Sequence, residues 1–423
     1  MKLGWLTHNG NGLTYNGKGL AADITDPYNP LDLPPYTMRC KFSSGYTPAW
    51  GDSVELVDAG ENVWDITYNN ESRTESWNSV FQRNNCNEQL VEFLGANATG
   101  VRLTSGMFYL CINLEKVVVF DLSTTEYIDY MFEGCFSLRS IPAFDLTGKR
   151  SMVHLFDNCR LLTDVGIVNT SSIESMEGAF YRCENLREFP ALDMSSVANI
   201  RNICNRCYSL VDISRINVSH VTNMSGAFEA CASLQSIPST LDTSNVTNMS
   251  WAFEATGITS LPALNTSKVT DMSYMCEHAY SLRDVPLLDT SKVTNMNSML
   301  ASCPISVLPC FDTSNVTNMQ NAFLGGEYTE IPPLNTSNVT NMAGTFSYNE
   351  HLLRIRLLDT SKVTDMTYTF GGDRNVESGA LDWYNQASTQ ANPPQYHREC
   401  FWSCGIYSTT GAAELEEIPS DWK

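Results

Sequence analysis

The sequence has little charge, and basic residues are the scarcer kind. Of 423 residues, 26 are Lys or Arg and 47 are Asp or Glu, so the formal net charge is −21. A strongly acidic chain is repelled by a phosphate backbone and by anionic lipid headgroups, which argues against a nucleic-acid partner. No apolar run reaches the length that crosses a bilayer, so we expect no membrane insertion.

The amino terminus lacks the apolar run and the small-residue cleavage site of a secretory signal peptide. It also lacks a cysteine that could carry a lipid. We therefore expect a chain that is made and assembled in the cytoplasm, or one that leaves the cell by another route.

Catalytic motifs are missing as well. The six histidines are scattered, and none pairs with another residue at metal or catalytic spacing. There is no nucleophile elbow, no phosphate loop and no zinc-protease motif. The sequence predicts no enzyme, no catalytic residue, no bound metal and no cofactor.

What the sequence has instead is a repeat. One aromatic position recurs at steps of 23 to 25 residues over twelve units. Its occupants are Phe108, Phe132, Phe156, Phe180, Cys204, Phe228, Phe253, Cys276, Leu300, Phe323, Phe346 and Phe370. A unit this short cannot bury its own apolar face, so neighbouring units must stack and share one core.

The clearest unit predicts the shape of one coil. Val221-Thr222-Asn223-Met224 is typical of a short strand, and so is Ser233-Leu234-Gln235-Ser236-Ile237. Between them, residues 225–231 place Ala227, Phe228 and Cys231 on one side of a helical or 3₁₀ turn. The predicted fold class is an α/β repeat solenoid, with short parallel strands and one helical turn in each coil.

Asp and Asn alternate at the corner of each unit, where a side chain can accept from the backbone N–H two residues on. A calcium ladder is the alternative, but free exchange with neutral Asn argues against it. The corner residues are Asp193, Asn217, Asp242, Asn265, Asp289, Asp312, Asn335 and Asp359.

Seven cysteines share one repeat position, and other units place Thr, Ala, Gly, Asn or Asp there. A disulfide partner cannot be exchanged in this way, whereas a small buried thiol can. We expect free core cysteines and a reducing place of synthesis. A metal site at Cys204 and Cys207 is the less favoured alternative. The seven are Cys111, Cys135, Cys159, Cys183, Cys207, Cys231 and Cys303.

The repeat sets the predicted domain limits. Residues 1–80 form a small β-rich head or attachment domain, with strands at 37–42, 53–58 and 63–68 and a hairpin turn at Asn16-Gly17. Residues 81–373 form a solenoid of one capping coil and twelve repeats. Residues 374–423 form a loop-rich cap with a partial repeat at Phe401 and Cys404.

The motifs Asp-Thr-Ser-x-Val-Thr-Asn-Met at 242–249 and Phe-x-x-Cys-x-Ser-Leu at 228–234 resemble the BspA-like leucine-rich repeat family, which includes mycoplasma-type surface lipoproteins. The resemblance covers about residues 100–373. It implies a leucine-rich-repeat solenoid that serves in surface adhesion or protein binding. Segments 33–42 and 63–68 resemble the head that precedes such repeats in phage and prophage proteins of gut bacteria.

The favoured hypothesis is a non-enzymatic virion protein, such as a fibre or decoration protein, that presents its repeats to a host glycan or protein. Residues 1–80 would then dock on virion or assembly proteins, with assembly in the host cytoplasm. One alternative is a BspA-like adhesin on the bacterial surface, and another is a purely structural assembly component. An enzyme in the end domains has no motif in its favour.

The candidate binding face is a ladder of hydroxyl and amide groups, with a Thr in each of seven coils, an Asn beside five of them, and three aromatic residues nearby. The same residues could instead be the solvated side of a strand. The face comprises Thr222, Asn223, Thr247, Asn248, Trp251, Thr270, Tyr274, Thr294, Asn295, Thr317, Asn318, Thr340, Asn341, Thr364 and Tyr368.

Overall fold

A computed structural model describes residues 6–9, 12–15, 18–19, 33–50, 54–68 and 76–423. Its strands are β1 (Leu6–Asn9), β2 (Gly12–Tyr15), β3 (Lys18–Gly19), β4 (Thr37–Phe42), β5 (Val54–Gly60), β6 (Val63–Tyr68), β7 (Leu90–Asn97), β8 (Lys116–Val117), β9 (Ser140–Ile141) and β10 (Asp164–Val165). Its helices are α1 (Val80–Arg83), α2 (Ala380–Thr389) and α3 (Thr409–Glu417).

The head forms two sheets. β1, β2 and β3 are antiparallel, and Tyr15 lies opposite Lys18, as expected for the predicted hairpin. Its turn residues, Asn16 and Gly17, lie outside the described residues. The predicted strands at 37–42, 53–58 and 63–68 are confirmed as β4, β5 and β6, with β5 extending to Gly60.

The second sheet has the order β5-β6-β4-β7-β8. β4 to β7 pair antiparallel, whereas β7 and β8 pair parallel. This sheet crosses the expected boundary at residue 80, because β7 and β8 belong to the solenoid side. The head is therefore hydrogen-bonded directly into the capping coil that precedes the twelve repeats.

The solenoid is a stack of coils, which we number 1 to 12 from Phe108 to Phe370. In coil 6, every second backbone N–H donates to the next coil: Gly226 to Ser250, Phe228 to Ala252 and Ala230 to Glu254, at 2.8–3.0 Å. The N–H groups between them donate within the coil, as Glu229 does to Gly226 at 3.2 Å. Backbone pairing thus holds each coil in register with its neighbours.

The helical turn predicted for each coil is not present. Two residues in every coil have a left-handed backbone, at two positions before and two positions after the repeated aromatic residue. In coil 6 these are Gly226 (φ 61°) and Ala230 (φ 57°). A helix requires right-handed φ and ψ throughout, so the segment is a series of tight turns.

The predicted strands are shorter than expected. Most contacts between coils at Asn223 and its equivalents are isolated parallel bridges of a single residue. The direction of pairing is parallel, as predicted. An extended segment cannot grow, because the Asn side chain starts a turn as soon as the bridge is made.

The core is a column of stacked rings. Phe108 and Phe132 lie 5.1 Å apart with an angle of 6° between the rings, and the stacking continues through Phe156 to Phe180. α1 starts the column with Phe81, and the partial repeat ends it with Phe401 against Phe370 at 5.7 Å. One hydrophobic cluster runs from Met38 to Trp422.

The repeated cysteines are free and buried, as predicted. In six coils the thiol donates to a backbone carbonyl of the preceding coil; Cys183 donates to Phe156 at 3.2 Å. Burial raises the pKa of the Cys303 thiol to about 12, so that thiol stays protonated and keeps its donor. Thr256 and Asn349 at this position also donate, to carbonyls of their own coils, whereas Ala279 and Gly326 supply no side-chain donor, so the position selects small size first.

The carboxyl-terminal segment, predicted to be loop-rich, contains two helices. α2 buries Trp383 edge-on against Phe370, with ring centroids 4.9 Å apart. Glu414 of α3 accepts from the backbone N–H groups of Gly379 and Leu381 at the start of α2. The caps come from a distant residue rather than from a local motif, so the helix start signals are weak in the sequence.

None of the helices in the described parts of the chain has the length and apolar character needed to span a bilayer.

We expect Cys183→Ala to lower the free energy of unfolding by about 1–3 kcal/mol, because it removes a buried donor and leaves a cavity. Urea unfolding measures the change. Cys310→Ala is the matched control, since the exposed Cys310 thiol also donates to a carbonyl. Equal losses for the two variants would contradict the structural role of the cysteine ladder.

Candidate functional site

The threonines of the predicted face are exposed on one side of the solenoid. Each hydroxyl already donates to a backbone carbonyl of the preceding coil; Thr247 donates to Thr222 at 3.1 Å. The same bond is made by Thr222, Thr270, Thr294, Thr317, Thr340 and Thr364. These hydroxyls therefore reinforce the stack, and only their lone pairs face solvent.

The neighbouring amide and carboxylate groups are half-buried and start turns. Asn248 Oδ1 accepts from the backbone N–H of Ser250 at 2.9 Å. Asn223, Asn295, Asn318 and Asn341 accept in the same way. The corner carboxylates and amides do likewise, which confirms the predicted turn geometry.

The three aromatic residues of the predicted face share one repeat position, two residues before the stacked ring. We call it the rim position. All of its occupants are left-handed, with φ between 50° and 62°. Gly, Asn and Ser fill it in seven coils, whereas Trp251, Tyr274 and Tyr368 carry bulky side chains there, as do Tyr130 and His154. A large side chain in this conformation has a cost that Gly and Asn avoid.

Trp251 and Tyr274 are stacked with ring centroids 4.6 Å apart and 5° between their planes. Asn297 donates to the Tyr274 hydroxyl at 2.8 Å, which fixes the second ring. Tyr368 lies in coil 12, five coils beyond Trp251, and the Trp402 ring meets its ring edge-on. The structure thus brings two of the three aromatic residues together and separates the third.

A groove of about 480 Å³ lies beside Trp251. It crosses coils 4 to 8 and includes Asn223 and Asn248 of the predicted face. Sequence reasoning missed most of its lining, which comprises Tyr181, Arg201, Asn202, Asn205, Ser225, Gly226, Glu229, Ser250 and Asp271. When coils are aligned on the stacked ring, Gly226 falls directly before Trp251 at the rim position. Gly106 precedes Tyr130 and Gly344 precedes Tyr368 in the same way, so this pattern alone does not identify the groove.

Rim side chains lean toward the next coil, and the Asn202 side chain fills the space that a Cβ at Gly226 would take. A Cβ built at Gly226 lies 2.1 Å from Asn202 Oδ1, and one built at Gly178 lies 2.5 Å from the His154 ring. By the same lean, Trp251 rests on Tyr274. A side chain at position 226 would lie over the opposite side of the indole, and Gly226 supplies none.

Beside the groove, Glu229, Glu254 and Glu277 form a ladder of carboxylates on successive coils. Burial, then Glu229 and Glu277, raises the pKa of Glu254 to about 7. Among the described residues, Glu254, Glu277 and His278 are the group whose ligand atoms, all within 4.8 Å of one another, could hold a metal ion.

Comparisons with known proteins agree on the repeats. Residues 101–225 match six copies of the family described as BspA type leucine-rich repeat region. Residues 101–225 are thus similar to BspA-type leucine-rich repeats. Residues 198–306 and 305–394 match the family described as Mycoplasma protein of unknown function, DUF285. These BspA-type repeats make the fold a repeat solenoid and indicate a surface or binding protein.

No curated protein matches the chain. Among solved structures it is similar to the one titled "Structure of the Toll - Spatzle complex, a molecular hub in Drosophila development and innate immunity". The identity is 14%, the match covers 72% of this chain and 42% of that chain, and the TM-score is 0.19. This chain thus spans about two fifths of that one, and a similarity this low carries no argument about function.

We expect the free energy of unfolding to fall as the pH rises from about 4.5 to about 7, because folded Glu254 keeps a proton that the unfolded chain releases. Glu254→Gln removes this contribution and flattens the profile measured by thermal unfolding.

Glu133 gives a parallel case, since burial and then Asp157 raise its pKa to about 7 as well. Glu133→Gln reduces the slope of the stability profile over the same pH range, and the double variant reduces it further. A profile that keeps its slope in both single variants would contradict the assignment.

Proposed function

We propose that the chain is a non-enzymatic binding protein whose repeat face attaches it to a macromolecule on a cell surface. The BspA-type repeats support a surface or binding role. The groove beside Trp251 gives that role a location, because its lining combines a rim aromatic residue with polar side chains from neighbouring coils.

One observation carries the proposal. The fold imposes a left-handed backbone on every rim residue, yet coils 7 and 8 place Trp and Tyr there where Gly or Asn would be less strained. Trp251 is 38% exposed, so its ring is only partly covered by the fold. A strained, partly exposed aromatic residue at the edge of a polar groove is typical of a contact site.

The chain's placement is proposed to be a phage particle, with residues 1–80 as the attachment head. Segments 33–42 and 63–68 resemble the amino-terminal head that precedes such repeats in phage and prophage proteins, and this resemblance supports the proposal. The fourteen free cysteines also support it, because they suit assembly in a reducing cytoplasm. Mass spectrometry of particles purified after prophage induction tests this. Recovery of the chain in the cell envelope instead would favour the adhesin alternative.

We expect the labelled full chain to bind intact gut-bacterial cells saturably and to be displaced by excess unlabelled chain. Binding is measured by flow cytometry, before and after separate glycan and protease stripping of the cells. Binding that does not saturate, or that no excess displaces, would overturn the proposed function.

A further inference from the structure

We propose that the groove between Tyr181 and Trp251 is a saccharide-binding site for an uncharged glycan. This inference rests on the proposed function and names the chemistry of its ligand. The groove volume of about 480 Å³ lies within the range of about 300–1,000 Å³ seen for small-molecule sites.

The aromatic wall is the first part of the argument. Tyr274 covers one face of the Trp251 indole and is not part of the groove lining. The ring also lines the groove, together with Gly226 and Asn202. An aromatic face carries partial negative charge, and the C–H groups on the face of a sugar ring are its natural partners.

The groove floor is the second part, and it is independent of the wall. Asn205 is only 4% exposed and lines the groove. Its Nδ2 donates to Glu229 at 2.8 Å and to Asn202 at 3.2 Å, which fixes the orientation of the amide. Its Oδ1 has no hydrogen-bond partner in the described chain. A buried acceptor without a partner is costly, and because this oxygen is closed to solvent, a ligand hydroxyl satisfies it only when the Asn205 amide shifts toward the groove.

Free donors line the same groove. The amides at the equivalent position in flanking coils are occupied: Asn199 donates to Glu177 at 2.9 Å, and Asn295 donates to Asp271 at 3.3 Å. In the described chain, no acceptor partners the Nδ2 groups of Asn223 and Asn248. The groove therefore offers donors, the Glu229 carboxylate as an acceptor and an aromatic face.

The backbone disfavours a peptide ligand. Peptides often dock by adding a strand to free backbone groups. Here the N–H groups of Gly226 and Phe228 donate to the next coil, so recognition falls to side chains. Glu229 and Asp271 outweigh Arg201 in charge, and the chain is acidic, so an anionic glycan is disfavoured.

The test uses the full chain on an array of neutral, sialylated and sulfated oligosaccharides. We expect binding to at least one neutral oligosaccharide, and calorimetry with that oligosaccharide then measures the variants. Trp251→Ala is expected to weaken binding about tenfold or more, because it removes the platform. Tyr368→Ala is the matched control, with the same rim position, a left-handed backbone and the same 38% exposure. It is expected to change affinity less than about twofold.

A second pair keeps the proposal testable if Trp251→Ala unfolds. Gly226→Asn places a side chain over the indole, while Gly344→Asn makes the same change under the same strain, since a Cβ there lies 2.2 Å from Asn321 Oδ1. Loss of binding in the first variant alone supports the site, and thermal unfolding checks that both fold alike.

Binding to no neutral glycan, binding to anionic glycans alone, or equal effects of each matched pair would overturn the saccharide site. Cell binding that protease abolishes and glycan stripping spares would also overturn it, while the proposed binding function would stand.

Discussion

Alternate backbone hydrogen bonding between coils is the constraint on which the rest of the structure depends. Every second N–H of the turn segment reaches the next coil, so each coil must present its carbonyls at the same height and phase. The left-handed residues direct their N–H groups toward the carbonyls of the next coil. In-register stacking follows from this, and it places Phe on Phe, thiol on carbonyl, and Glu on Glu. The same stacking therefore repeats favourable contacts, such as ring on ring, and unfavourable ones, such as carboxylate beside carboxylate.

The same constraint explains how a uniform scaffold can carry a local site. Because equivalent residues lie directly over one another, a substitution at the rim position changes contacts with both neighbouring coils. The Asn202 side chain fills the space beside Gly226, and Tyr274 covers one face of the Trp251 ring. The carboxylate ladder of Glu229 and Glu254 adjoins the groove beside Trp251, so this part of the solenoid has both a groove and a concentration of negative charge.

Much of this follows from sequence, since periodic Phe and Cys positions predict the ring column and the free thiols. The turn geometry does not follow, because Gly, Tyr, His, Asn and Trp all occupy the rim position and share no local signature of a left-handed backbone. The helices after residue 379 were missed because Glu414, a distant residue, caps α2. The groove depends on pairs such as Asn202 with Gly226, which are adjacent only after the coils are phased.

Hydroxyl-radical footprinting of the full chain bound to intact cells tests the central claim most directly, namely that recognition occurs where the rim departs from regularity. The account predicts that cell binding protects Trp251 from oxidation, while Tyr368 and Tyr407, exposed by 38% and 67%, stay as reactive as in the free chain. Protection at Tyr407 with Trp251 unchanged would contradict it and would place recognition in the carboxyl-terminal cap.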